Sequence, residues 1–468
     1  MVRHMDARIQ LLTPDPALIR RFDRPGPRYT SYPTADRFVE AFDAAAHAAW
    51  LEKRAVGGIA RPLSLYVHLP FCASICYFCA CNKVITRDHG RSLKYLQYLE
   101  KELALHTAHL SGSRRISQLH WGGGTPTFLS GDELRGLMGM LRGVFEFDPA
   151  GEYAIEIDPR TVNTVTVNLL AELGFNRMSL GVQDFDPVVQ RAVNRIQPYD
   201  MTKNAMQAAR AAGFRSINVD LIYGLPKQTV TSFAHTIDRV IELEPDRIAL
   251  YSYAHLPTRF KPQRRIAAAD LPDPNGKLAI FLLALRRLQD AGYVYIGLDH
   301  FAKPDDALAL ALKSGRLHRN FQGYTTRPDC DLLAIGISAI SKIGPAYSQN
   351  VRTLEEYYDC LDQQRLPVVR GIELTPDDLV RRSVIMGLMC QGEVSMESVA
   401  IAHLIDFTFY FARELRELEA FEAAGLVEIA DGCIVVTPQG RYFLRAIAMV
   451  FDRYLAADRA RGQYANLI

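Results

Sequence analysis

The chain has 468 residues, which at about one domain per 150 residues allows two or three domains. Hydrophobic residues make up 49% and charged residues 23%, the balance of a soluble globular protein with a large core. Fifty-four Lys and Arg against 52 Asp and Glu give a net charge of +2, which argues against a dedicated nucleic-acid binder but leaves room for a local basic pocket.

Residues 1–60 are rich in Pro, Arg and aromatics. Pro25, Pro27 and Pro33 predict an extended arm, followed by a helix over Val39–Arg54. No continuous apolar stretch resembling a secretory signal opens the chain. From residue 63 short apolar, β-branched runs alternate with segments of helical period. The expected strands are Leu63–Pro70, Gln118–Trp121, Tyr153–Ile157, Arg177–Val182, Ile217–Ile222, Arg247–Ser252 and Tyr293–Leu298. Between them lie helices over Leu93–Leu110, Asp132–Val144, Val165–Leu173, Asp200–Ala212 and Ser232–Leu243. This alternation implies parallel strands with helical crossovers, and each strand ends in a polar or glycine-rich turn. Loops gathered at one end of such strands favour an α/β fold with a complete or partial (β/α) barrel over an open doubly wound sheet. After Leu366 the pattern becomes helical, over Thr375–Cys390, Met396–Ile401, Phe409–Ala424 and Arg441–Tyr454, with a hairpin turning at Asp431–Gly432. Helices plus a hairpin resemble a winged helix. The expected domains are therefore an arm (1–60), a catalytic barrel (61–370) and a C-terminal helical domain (371–468). Runs such as Leu278–Leu285 and Leu332–Ile340 fall short of the roughly 18 residues a membrane span needs.

Four of the eight cysteines, Cys72, Cys76, Cys79 and Cys81, fall within ten residues. The other four (Cys330, Cys360, Cys390 and Cys433) read as small core residues. Three thiolates spaced Cys-x3-Cys-x2-Cys can each bind one iron of a cubane cluster, and Cys81 stands too close to Cys79 for a further corner. The spacing favours iron–sulfur over zinc, which usually takes two pairs joined by a longer loop, and over core packing. Gly122-Gly123-Gly124-Thr125 lacks the Lys of a phosphate loop, so it reads as a close-approach loop or a plain turn. Glu156, Gln183 and Asp220 stand among apolar strand positions, where each needs a partner or a ligand. His68 and His120 lie within apolar strands and read as satisfied core histidines.

Cys-x3-Cys-x2-Cys after a first strand resembles the signature of the radical S-adenosylmethionine (SAM) enzymes. RYTSYPTADRF, LYVHLPFCASICYFCACNK, LHWGGGTPT, IEIDPR, GVQDF, NVDLIYGLPKQT, YAHLP and HRNFQGYTT resemble the oxygen-independent coproporphyrinogen III oxidases within them, from about Arg28 to the C-terminus. The resemblance implies a partial barrel of the radical SAM type and a 4Fe–4S cluster on Cys72, Cys76 and Cys79. SAM would chelate the fourth iron, a second SAM would lie nearby, and Cys81 would be a neighbour only. It assigns Tyr66, Phe78, Gly123, Gly124, Thr125, Glu156, Gln183, Arg195, Asp220, Ala254 and Ile340 to the cofactor, with Arg195 able to pair with a carboxylate.

The implied reaction is oxidative decarboxylation of two propionates of coproporphyrinogen III to vinyl groups, giving protoporphyrinogen IX. It would start from a 5′-deoxyadenosyl radical and need an external one-electron reductant and an electron acceptor. The expected protein is a cytoplasmic monomer without nucleic-acid or membrane partners. The alternative is a haem-binding chaperone of the same superfamily, whose relatives usually lack the fourth cysteine and the YTSYPT arm. Substrate carboxylates call for arginines, with Arg24, Arg28, Arg37, Arg259, Arg264, Arg265 and Arg319 as candidates. Tyr29, Tyr32 and Phe38 would suit the arm to a flap over the site.

Overall fold

The computed structural model describes residues 15–22, 24, 26–56, 61–327 and 330–457; the chain start and Pro25 lie outside the described residues. The described residues group into two compact units. One lies within Phe38–Ile280 and Asp329–Glu373, the other within Met1–Arg37, Phe281–Pro328 and Leu374–Ile468.

The first unit supplies ten neighbouring strands of the main sheet. They are β1 (Leu63–Leu69), β2 (Arg115–Gly123), β3 (Glu146–Ile157), β4 (Arg177–Gln183), β5 (Ser216–Tyr223), β6 (Arg247–Ser252), β7 (Asp331–Ile335), β8 (Ile340–Ile343), β9 (Ala346–Asn350) and β10 (Val368–Glu373). Their order is β10-β9-β8-β7-β1-β2-β3-β4-β5-β6. Every pairing from β7 through β1 to β6 is parallel, and β7 to β10 pair antiparallel. Strands β10 and β6 do not pair with each other, so this is the expected partial (β/α) barrel rather than a closed one. The six strands expected between residues 63 and 252 are all present, and β7 to β10 are additional. Helices His89–His109, Gly131–Val144, Thr164–Glu172, Tyr199–Ala211 and Val230–Glu242 make the crossovers. Ser130 with Glu133, and Thr229 with Ser232, close capping boxes that fix two of their starts. The helix expected over Val39–Arg54 is shorter, Ala44–Glu52, because Asp43 caps its first turn while Val39 bridges to Gly371.

Burial alternates along β4 and β5, and the half-buried face carries Ser179, Gln183, Asn218 and Asp220. On β3 the same alternation presents Glu152 and Glu156. Central β1 is almost wholly buried, as a strand covered on both faces should be.

In the second unit, Val294–Gly297 is not the parallel strand expected over Tyr293–Leu298. It pairs antiparallel with His300–Ala302, because the chain reverses at once through Leu298 in a left-handed conformation. The arm is not extended throughout either: Pro16–Phe22 is helical, with Pro16 at the first position, where its missing N–H costs nothing. Its tyrosines are packed. Tyr29 and Tyr32 are fully buried within this unit; the Tyr29 hydroxyl donates to Asp452 at 2.9 Å and the Tyr32 ring lies 6.0 Å from that of Tyr454. Phe38 belongs to the first unit, stacked on Tyr347 at 5.8 Å.

The C-terminal helices are Pro376–Gln391, Met396–His403, Phe407–Tyr410 and Ala412–Glu422. Asp406 caps a separate turn ahead of the last, which divides the helix expected over Phe409–Ala424. The one expected over Arg441–Tyr454 is interrupted, since the Asp452 carboxylate takes the backbone N–H groups of Tyr454 and Leu455 and starts a new turn. The hairpin Val427–Ala430 and Cys433–Val436 turns at Asp431 and Gly432, both with positive φ, and gains a third strand, Glu393–Ser395. Of the scattered cysteines only Cys390 is a buried core residue. Cys330, Cys360 and Cys433 are half-buried, and the Cys330 sulfur lies 3.0 Å from the Ser117 hydroxyl.

Candidate active site

Beyond β1 the chain turns at Pro70, and Phe71–Cys72 pairs in parallel with Val84–Ile85, closing a loop that holds Cys76 and Cys79. None of the eight cysteines is joined in a disulfide. The loop is clamped from two sides. On one, the Tyr77 N–H donates to the Val193 carbonyl at 2.9 Å and the Asn194 amide donates to the Ile75 carbonyl at 2.7 Å. On the other, buried Gln263 donates to the Phe78 carbonyl at 3.1 Å and accepts from the Leu256 N–H at 2.6 Å. Arg265 lies over the Tyr77 ring, 5.2 Å from its centre.

The charges around the thiols are arranged unevenly. Arg160 and Arg195 reach the Cys76 sulfur at 3.6 and 3.5 Å, and both pair with Asp158, at 2.6 and 3.0 Å. Burial pushes the Asp158 carboxyl up, but Arg195 and Arg160 together hold it below the ordinary carboxylate range. The Thr125 hydroxyl lies 3.4 Å from the Cys72 sulfur. Burial pushes the Cys72 thiol up to about 11, whereas the hydrogen bond from Cys81, helped by Lys83, brings Cys79 down to about 6. Among the described residues no three His, Cys, Asp or Glu side chains close around a single ion. A cubane takes each thiolate on its own iron instead, and soft sulfur donors facing two guanidinium groups suit such an anionic cluster.

Behind the loop the barrel interior is polar. The His120 Nε2 lies 3.0 Å from one Glu156 oxygen, and the Gly123 N–H donates to the other at 3.1 Å. Burial raises the Glu156 carboxyl, but the hydrogen bond and charge of His120 and the Gly123 N–H outweigh it and hold the group ionised. Tyr66 stacks on His120 at 5.7 Å, and its hydroxyl lies 3.1 Å from the His68 Nδ1. The other His68 nitrogen meets the Asn82 carbonyl at 3.0 Å, so His68 is a satisfied core histidine. Asp220 accepts from Ser179 and Asn218, each at 2.8 Å, and burial pushes its carboxyl up to about 6. Gln183 holds a left-handed conformation (φ 69°) at the end of β4, with its amide beside Gly181 and Arg195.

The structure thus joins Cys72 to Thr125, Cys76 to Arg195, and Gly123 through Glu156 and His120 to Tyr66. Phe78 packs into an apolar cluster with Tyr253, the neighbour of Ala254. Ile340 opens β8, two strands from β1. Two expectations change in their reasons. A Cβ on Gly122, Gly123 or Gly124 would meet Glu156, the His68 ring or the Pro70 backbone at 2.5–2.7 Å, so these glycines are required by protein packing first. The carboxylate partner of Arg195 is Asp158, and its Nε stays buried without a hydrogen-bond acceptor. The sequence reading missed Asp158 and Arg160 as site residues. The signal was the Asp-Pro-Arg that follows the Glu156 strand end.

A family model described as the radical SAM superfamily matches residues 66–240, and one described as the HemN C-terminal domain matches 374–443. The chain is 53% identical over 446 residues to an oxygen-independent coproporphyrinogen III oxidase of Pseudomonas aeruginosa, covering 94% of this chain and 96% of that one. It is 47% identical to an Escherichia coli K12 protein of the same name, covering 98% and 100%. A solved structure of coproporphyrinogen III oxidase from Escherichia coli, described as a radical SAM enzyme, superposes with a TM-score of 0.90 at 46% identity, covering 95% of this chain and 100% of that one.

Proposed function

The chain belongs to the oxygen-independent coproporphyrinogen III oxidases of the radical SAM superfamily, and from that premise we propose that it converts two propionate side chains of coproporphyrinogen III to vinyl groups, giving protoporphyrinogen IX. The observation that carries this reading is the clamped three-cysteine loop at the end of β1, with Arg160 and Arg195 directed at Cys76. In this reading the thiolates of Cys72, Cys76 and Cys79 hold a 4Fe–4S cluster, and Cys81 is a neighbour that tunes Cys79. Bound together, the cluster and SAM supply the one-electron chemistry that begins at the propionate β-carbon, which no side chain can supply.

The chain's own residues bind, orient and shield. Arg160 and Arg195 offset the negative charge of the ligated sulfur, and the buried Nε of Arg195 is a donor left for the cofactor. Ionised Glu156 is an acceptor for amine or hydroxyl groups of SAM. Gln183 and Asp220 present further polar contacts from β4 and β5. Gly123, Gly124 and Thr125 line the approach, while Tyr66, Phe78, Ala254 and Ile340 supply apolar wall. So many polar positions on successive strands support a second SAM molecule. The reading includes an external one-electron reductant, a separate electron acceptor, and a monomer working in the cytoplasm. Among the described residues no helix is long and apolar enough to cross a membrane.

The test is anaerobic turnover of the reconstituted, reduced chain with SAM and coproporphyrinogen III, following 5′-deoxyadenosine and protoporphyrinogen IX together. Both form in the native chain, and Cys76→Ser abolishes both. SAM cleavage without vinyl product would overturn the substrate assignment.

A further inference from the structure

Two arginines of the second unit are buried without a carboxylate. Arg319 is 7% exposed and Arg441 4%. Arg319 sits on the hairpin of His318–Asn320 and Gly323–Thr325, opposite Tyr324, with its guanidinium 4.7 Å from the centre of that ring. Its Nε donates to the Arg28 carbonyl at 3.3 Å, and its Nη1 is buried with no acceptor. Arg441 lies in the turn Gly440–Phe443, ahead of Leu444–Met449. One Nη donates at 3.4 Å to the Ile296 carbonyl, and its Nε is buried with no acceptor. Ile296 adjoins Gly297, where a Cβ would meet the Tyr324 hydroxyl at 2.6 Å, so Arg441 and Arg319 approach the same tyrosine. The Gln322 amide nitrogen, in the hairpin turn, is also buried and unmatched. Asp299, whose charge acts on Tyr324, is paired with Arg28.

A buried guanidinium without a counter-ion is unfavourable, and buried donors without acceptors add to that cost. Burial depresses the Arg441 guanidinium, and its neighbours on that account are the tyrosines 324, 295 and 442, with no carboxylate among them.

We propose that Arg319 and Arg441, with the Gln322 amide, form a carboxylate-binding site around Tyr324, and that it takes a propionate of the tetrapyrrole substrate. The site itself stands on the unmatched donors alone. Its assignment to the substrate rests on the proposed function, since that substrate carries four propionates. It also gives a role to two sequence motifs that the cluster chemistry leaves unused: the arm around Arg28 and HRNFQGYTT.

The experiment is equilibrium binding of coproporphyrin III, the fluorescent oxidised form, to the full chain. It needs neither reduced cluster nor turnover, so its failure is separable from failure of the reaction assay. The native chain is expected to bind the tetra-acid much more tightly than the tetramethyl ester. Arg319→Met and Arg441→Met each weaken tetra-acid binding by roughly tenfold or more, leave ester binding alone, and are partly restored by lysine. A structural arginine would lower Tm when replaced. Removing an uncompensated buried charge leaves the Tm of the free chain unchanged or raises it. Malonate is a second probe, expected to raise the Tm of the native chain and not of either Met variant. Protection by malonate with unchanged porphyrin binding in both variants would keep the site and reassign it to a free small carboxylate. Unchanged porphyrin binding without malonate protection, or a Tm that falls in both variants while binding holds, overturns the proposal.

Discussion

Two guanidinium groups converge on Asp158, and both also touch the Cys76 sulfur. Asp158→Asn leaves Arg195 buried beside a thiol with no carboxylate, and the expected loss is about 3–5 kcal/mol in urea unfolding of the cluster-free chain. A loss below 1 kcal/mol would mean that Cys76 itself supplies the balancing charge. Asp220 works in the opposite direction. Its carboxyl is raised to about 6, so the folded chain holds that proton more tightly than the unfolded chain, whose carboxyl titrates near 3.9. Its contribution to stability is present at low pH and is lost as pH rises from about 4 through about 6. Asp220→Asn should flatten the pH dependence of unfolding across that window, and Asp184, also raised to about 6 by burial, keeps the remainder. At this scale the sequence was informative where residue type limits chemistry: three cysteines, or a carboxyl in an apolar strand. It was silent on pairings. Nothing in the spacing of Asp158 and Arg195 says that one neutralises the other, because their meeting depends on where β3 and the turn after Pro187–Ala192 end.

Among the elements, the glycines separate two physical cases. Gly124 leaves no room: a Cβ there would lie 2.5 Å from the Pro70 carbonyl, and Gly124→Ala is expected to cost about 1–3 kcal/mol or more. Gly136, exposed within helix Gly131–Val144, meets nothing within 4 Å, so Gly136→Ala should stabilise the chain by about 0.5–1 kcal/mol. Thermal unfolding of the two variants side by side checks both signs. Strands β1 to β6 were legible because they are short runs rich in apolar, β-branched residues and ended by turns, whereas β7, though parallel to β1, was not read as a strand. Strands β8 and β9 were not, since buried Ser341, Ser348, Gln349 and Asn350 hide them from any apolar pattern. Those polar residues are accommodated by specific bonds, such as the Asn350 amide to Glu102 at 2.6 Å and the Ser348 hydroxyl beside His47 at 3.0 Å. Tertiary partners of that kind are invisible in a local window.

For the molecule as a whole, the decisive fact is that neither unit is continuous in sequence. The chain passes from one to the other at 37/38, 280/281, 328/329 and 373/374, four crossings in all. A fragment of residues 38–280 holds β1 to β6 and the whole cysteine loop, yet it lacks β7, which pairs with β1 through the middle of the sheet. That fragment is expected to be insoluble or unfolded when expressed alone, with an unpaired apolar strand at its edge. A soluble, cooperatively unfolding fragment would show that β1 to β6 suffice. The register of β1 against β7, Leu63 to Asp331, also sets a timetable. At about 5–20 residues per second, β7 leaves the ribosome roughly 13–54 s after β1. The Asn194 and Gln263 clamps on the cysteine loop emerge within that interval, after the thiols they hold. A nascent chain therefore displays three reactive sulfurs before the sheet that shelters them can be completed. For those seconds their safety from oxidation, and any early capture of iron, depends on what surrounds the ribosome and not on the fold.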